Sequence, residues 1–114
     1  MIKNDNILAL ASPSGIGAIS MTRISGPESI SIADKVFIGV EKIKLKDQKA
    51  NTVQLGYIVE DNRTIDKVLI TVFRNPKSYT GENLVEISCH GSVFIQESII
   101  QLLLNYNCRI ARPG

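Results

Sequence analysis

Apolar and polar residues alternate with a period of two over much of this chain, and with helical spacing in two places. Ile7–Ala11 is a short apolar run that reads as a buried strand. Ser12-Pro13-Ser14-Gly15-Ile16-Gly17 carries turn chemistry. In Ala18–Ile24, Ile19 and Met21 alternate with Ser20 and Thr22, so the two runs predict a hairpin. Ser25-Gly26-Pro27-Glu28 then has the form of a helix start. Serine caps, glutamate three residues on reaches back to the cap N–H, and proline is tolerated in the first turn. Ile30, Ala33, Val36 and Phe37 follow at helical spacing and Gly39 is a stop, which predicts a helix over Pro27–Ile38.

Val40–Asn51 carries Lys42, Lys44, Lys46 and Lys49 and reads as a solvated loop or edge strand; a specific anion patch is the alternative. Clean alternation of Val53, Leu55, Tyr57 and Val59 predicts a strand over Thr52–Glu60. Asp61-Asn62-Arg63 is a turn, and Val68–Phe73 is the return strand of a second hairpin. Asn75–Gly81 is a polar loop and Leu84–Cys89 a further strand. His90-Gly91-Ser92 leads into a helix with Ile95, Ile99, Leu102, Leu103 and Tyr106 on one stripe. Arg109–Ala111 is a short last strand. The chain stops at Arg112-Pro113-Gly114 without a closing element, the expectation for a piece of a longer protein. This order predicts an α+β domain, with two helices on one face of a mixed, mostly antiparallel sheet.

At 114 residues the chain has the size of one domain, residues 1–114. Its 44% hydrophobic and 21% charged residues can build a core and argue against extended disorder. A net charge of +2 does not by itself argue for nucleic acid. Apolar runs fall far short of the roughly 20 residues of a membrane span, and no signal peptide is visible, so the expected location is the cytoplasm. Two cysteines and one histidine make neither a disulfide framework nor a zinc ligand set. A phosphate-binding P-loop is missing. Gly15-Ile16-Gly17 is not a dinucleotide fingerprint, because Ser20 holds the third glycine's place and strand period follows.

Four places remain for chemistry. The glycines of Gly15-Ile16-Gly17 form a hairpin loop that lets a ligand approach the backbone closely. Cys89 shares parity with Val85 and Ile87 and reads as core, while His90 points to the opposite face. His90 either bonds the strand–helix loop or contacts a ligand. Arg23 shares parity with Ile19 and Met21. It either snorkels to water or meets a carboxylate or other acceptor. Glu86 lies inside an apolar strand on the face of Leu84 and Ser88, and is either solvent-facing or functional. Parity alone does not say whether Arg23 and Glu86 share a pocket.

Several blocks together resemble the N-terminal domain of the MnmE (TrmE) family of tRNA modification GTPases. They are Ile7–Ala11 with Ser12-Pro13-Ser14-Gly15, Arg23-Ile24-Ser25-Gly26-Pro27, and Asn75-Pro76-Lys77-Ser78-Tyr79-Thr80-Gly81-Glu82. Val85-Glu86-Ile87, Cys89-His90-Gly91 and Ala111-Arg112-Pro113-Gly114 complete the set, in the family's order and spacing. The resemblance implies a folate-binding fold like that of one-carbon-transfer proteins. It further implies a homodimer and a 5-formyl- or methylene-tetrahydrofolate that serves wobble-uridine modification of tRNA. Arg23 and Glu86 match folate-contacting positions; Gly15, Gly17 and His90 are candidate pocket lining. A FAD-containing MnmG partner acts with the whole protein. GTP, magnesium and potassium belong to a GTPase domain that is absent here, so this fragment alone is not expected to be an enzyme. A family lysine lies beyond Gly114, and the family's C-terminal cysteine is not replaced by Cys89 or Cys108. Departures from the family pattern are Ser14, Ile16, Ala18, Ser20 and Ser92. The alternative is a structural dimerisation or tRNA-contacting module without folate binding, the latter using Lys42–Lys49.

Overall fold

A computed structural model describes residues 5–11, 18–75 and 82–111. Seven strands form one sheet: β1 Ile7–Leu10, β2 Ile19–Ser25, β3 Phe37–Gly39, β4 Thr52–Glu60, β5 Arg63–Phe73, β6 Leu84–His90 and β7 Arg109–Ile110. Among the described residues there are two α-helices, α1 Ser29–Asp34 and α2 Val93–Leu103. Across the sheet the order is β3-β4-β5-β6-β2-β1-β7. Every neighbouring pair is antiparallel except β1 and β7, which run parallel. The expected α+β class and both hairpins are therefore present. β6 enters between the hairpins and pairs with β2 on one side and β5 on the other.

The period of two decides which face is covered. Leu8, Ile24, Ile58, Val68, Ile70, Val72, Val85, Ile87 and Cys89 share one face and are buried. They form a single core with Ile30, Ile32 and Ala33 of α1 and with Ile99, Leu102 and Leu103 of α2, so both helices lie on that face. α2 starts where Ser92 caps it, the Ser92 hydroxyl accepting the Ile95 N–H at 3.0 Å. Tyr106 falls beyond the end of α2 but packs partly buried against the same core. No helix among the described residues is long and apolar enough to cross a membrane.

The first helix differs from expectation. Ser25 closes β2 and does not cap; α1 begins at Ser29, and Glu28 precedes it without a side-chain cap bond. Asn6 explains the change. It is almost fully buried and needs partners. Its Oδ1 accepts the Glu28 N–H at 2.8 Å, while the Glu28 carboxylate accepts from Nδ2 of Asn6 and of Asn107. Glu28 thus ties the first strand to the turn before the last one. Gly26 turns the chain there with φ +141°, a value side chains rarely adopt. α1 also stops early, at Asp34. Phe37 and Gly39 leave helical geometry to pair with Ile58 and Gly56 on β4. Val36 and Phe37 remain buried, so the apolar period was real and strand pairing won over helix.

Val40–Asn51 is not a strand. It holds a single 3₁₀ turn, Leu45–Asp47, whose Leu45 is fully buried. The Asp34 carboxylate accepts the N–H groups of Leu45 and Lys46, and the Arg74 guanidinium donates to the carbonyls of Leu45, Lys46 and Gln48. Lys42, Lys44, Lys46 and Lys49 are exposed. β5 begins at Arg63, five residues before the expected Val68, directly after Asp61 and Asn62 at φ 50° and 65°. Those positive values give a two-residue hairpin turn of the twist that antiparallel strands favour.

Two outcomes follow from this packing. A Cβ at Gly56 would overlap the Phe37 ring and the Ile38 carbonyl oxygen. Gly56→Ala is expected to lose about 1–3 kcal/mol by overpacking, read as a fall of several degrees in thermal denaturation. Burial, then the nearby Asp66 charge, pushes the Cys89 thiol up to about 11 from 9.0. The folded chain therefore holds the protonated thiol, and the unfolded chain loses its proton first as pH rises. Stability is full below pH 9.0 and falls from there towards about 11. Denaturant titrations across that range should show a shallower decline for Cys89→Ala than for wild type.

Candidate functional site

Among the described residues, no helix covers the other face of the sheet. Ile19, Ile38, Val53, Leu55 and Leu69 are exposed on it. In its middle, Arg23 of β2 stands directly opposite Glu86 of β6. Thr71 flanks Glu86 from β5, and Ala9 flanks Arg23 from β1. The two residues that the sequence marks separately are thus cross-strand partners.

Their contact is one-sided. Arg23 donates from Nε, at 3.0 Å, and from Nη2 to the same oxygen, Oε2 of Glu86. Among the described residues, Oε1 of Glu86 and Nη1 of Arg23 take no further partner. The side chains are 35% and 16% exposed, so the pair is neither free in water nor sealed in the core. It leaves one carboxylate oxygen and one guanidinium nitrogen without a bond to the described residues. A planar ring edge carrying an N–H beside a carbonyl is complementary to that array. The aminopyrimidinone edge of a pterin has this pattern, so these residues fit such a group.

His90 ends β6 on the same face. Its ring Nδ1 lies 2.7 Å from Oδ1 of Asp66, and its backbone N–H donates to Oδ2 of Asp66 at 2.8 Å. Sequence reasoning missed Asp66. The signal was present, because Asp66 shares parity with Val68, Ile70 and Val72, and a carboxylate on a core-facing position requires partners. The expected separation of Cys89 and His90 holds: Cys89 is buried against the core and His90 is exposed. Gly15 and Gly17 lie outside the described residues. Among the described residues there is no cluster of three or more histidine, cysteine, aspartate or glutamate side chains placed to hold a metal.

Residues 6–114 match the family model described as GTP-binding protein TrmE N-terminus. The chain is 54% identical to the tRNA modification GTPase MnmE of Flavobacterium johnsoniae over 114 residues, 100% of this chain and 24% of that protein. It is 51% identical to the protein of the same name from Flavobacterium psychrophilum, covering 100% of this chain and 25% of that one. For the Chlamydia caviae protein of that name the identity is 43%, again over 100% of this chain and 25% of the relative. The chain therefore spans about a quarter of the length of these relatives. A match this long, with the Arg23–Glu86 pair inside it, makes the chain a member of the TrmE N-terminal family, the N-terminal domain of tRNA modification GTPases.

Proposed function

We propose that this chain binds a reduced folate, 5-formyl- or methylene-tetrahydrofolate, on its open sheet face and pairs with a second copy of itself. In this reading it serves a longer tRNA modification GTPase that uses the folate as one-carbon source at the wobble uridine of tRNA. GTP hydrolysis with magnesium and potassium belongs to other parts of that protein, and tRNA and a FAD-containing MnmG protein are its partners in the cytoplasm. The relatives' name, tRNA modification GTPase, supports the setting. The Arg23–Glu86 pair carries the folate part of the reading. The pair stands in the middle of the sheet face away from the helices, partly exposed, with one carboxylate oxygen and one guanidinium nitrogen unused by the described residues.

Calorimetric titration with 5-formyl-tetrahydrofolate tests this directly. Wild type is expected to bind saturably. A charge-assisted hydrogen bond contributes roughly 1.5–3 kcal/mol, so Glu86→Gln and Arg23→Ala should each weaken binding by about one to two decades. Glu86→Gln is the sharper variant, since it replaces an acceptor oxygen by a donor that meets the ligand's own N–H. Both variants should stay folded, because a partly exposed ion pair contributes under about 1 kcal/mol. Wild-type affinity in both folded variants would place the ligand elsewhere.

Pairing with a second copy is supported by the uncovered apolar positions Ile38, Val53 and Leu55, which lie together at the β3–β4 end of the open face. A two-fold contact is the commonest closed symmetry. Sedimentation equilibrium at micromolar concentration should show a dimer, and Leu55→Asp should shift it to monomer. A strict monomer for wild type would end this part of the reading.

A further inference from the structure

The strand register sorts the open face into rows. Ala9, Arg23, Glu86 and Thr71 form the first; Met21, Ser88, Leu69 and Leu55 the second. Ile19 and His90 pair in the third, and Lys67 lies on the same side of β5, paired to Tyr57. At roughly 3.3 Å per residue, His90 stands about 13 Å from Glu86 along β6. Beside His90, and reaching Leu69 and Ser88 in the row next to Glu86, lies a shallow depression of about 290 Å³, bordered also by Ile19, Leu55 and Lys67.

Its far end is polar and built. The β5–β6 ladder stops at Leu69 and Ser88, and the Asp66 carboxylate takes the His90 N–H that β5 does not. The other Asp66 oxygen holds Nδ1 of the ring at 2.7 Å, with Asp66 itself only 8% exposed. A neutral imidazole that donates from Nδ1 to this carboxylate keeps Nε2 as an acceptor, on a ring that is 69% exposed. The Lys67 ammonium lies 6.0 Å from the centre of the Tyr57 ring, which keeps the cation on this face. Among the described residues, Asp66, Lys67, His90 and Tyr57 are the charged or titratable side chains gathered here, and Cys89 is buried beside them.

We propose that His90 and Lys67 form a second recognition point for the distal end of an elongated ligand whose ring edge Arg23 and Glu86 hold. This rests on the folate reading. The distal chemistry is an aryl ring bearing an acyl-amino-acid. The depression takes the aryl ring, Nε2 of His90 accepts the amide N–H, and the Lys67 ammonium meets the carboxylate. Asp66 is a positioning residue that fixes the tautomer and aim of His90.

Two probes separate this from the parent reading: 5-formyl-tetrahydrofolate, and a tetrahydropterin without the aminobenzoyl-glutamate arm. His90→Gln and Lys67→Met should each weaken the folate about five- to tenfold, the loss of one surface hydrogen bond or ion pair, and leave the pterin unchanged. Glu86→Gln should weaken both. The sole imidazole of the chain gives a second readout that needs no variant. Its nitrogen chemical shifts should show hydrogen on Nδ1 in the free protein, and Nε2 should move on adding folate but not on adding pterin. Equal losses for both probes, no loss for either, or an Nε2 signal that saturating folate leaves unmoved would overturn the second recognition point while the first stands. If wild type binds neither probe, both readings fall.

Discussion

The register between β2 and β6 is the constraint on which the rest depends. Ile19–Ser25 and Leu84–His90 pair residue for residue along their whole length. That ladder joins the β1–β2 hairpin to the β4–β5 hairpin through β6 and makes one sheet of them. It also fixes faces. With Ile24 opposite Val85 and Thr22 opposite Ile87 on the core side, Arg23 must meet Glu86 on the other. A slip of either strand by one residue would bury its charge under α1 and α2 and turn its core residues to water. The ion pair and the hydrophobic core are therefore consequences of one alignment.

What the sequence made legible is what local physics decides. Both hairpins, the Ser92 cap, the core parity of Cys89 and the stripe of α2 follow from alternation, helical spacing and turn residues within a short window. The first helix did not, because Phe37, Ile38 and Gly39 satisfy helical spacing and strand spacing alike over so few residues. Pairing with Ile58, Tyr57 and Gly56 decides between them, and that partner lies about twenty residues away. The start of β5 was hidden for a related reason. Arg63, Asp66 and Lys67 dilute its alternation, although Asp66 in fact sits on the core side.

The site shows the same division. Arg23 and Glu86 each stand out in the sequence as a charge on an apolar strand. That they touch is a fact of β2–β6 register across more than sixty residues of chain, which no local pattern encodes. The resemblance to the TrmE family supplied the pair as positions, and the register supplies the geometry. Asp66 escaped both routes. Its work is non-local as well, since it closes the end of the β6 ladder where β5 and β6 part.

Stability alone does not account for a charged pair in the middle of this face. A partly exposed ion pair contributes under about 1 kcal/mol, and a cross-strand pair of β-branched or aromatic residues contributes as much. Farther along the same row Val53 stands beside Thr71, and the next row places Leu55 beside Leu69, without charge. What charge adds is direction: Oε2 of Glu86 anchors the guanidinium, and the anchored guanidinium in turn fixes the carboxylate. Burial on one side and solvent on the other leave that array half dehydrated, where a matching ligand edge gains most from meeting it. The apolar rows around it supply the area, and the pair supplies the orientation. An uncovered sheet face of this composition is thus organised for recognition in a way that its contribution to folding does not require.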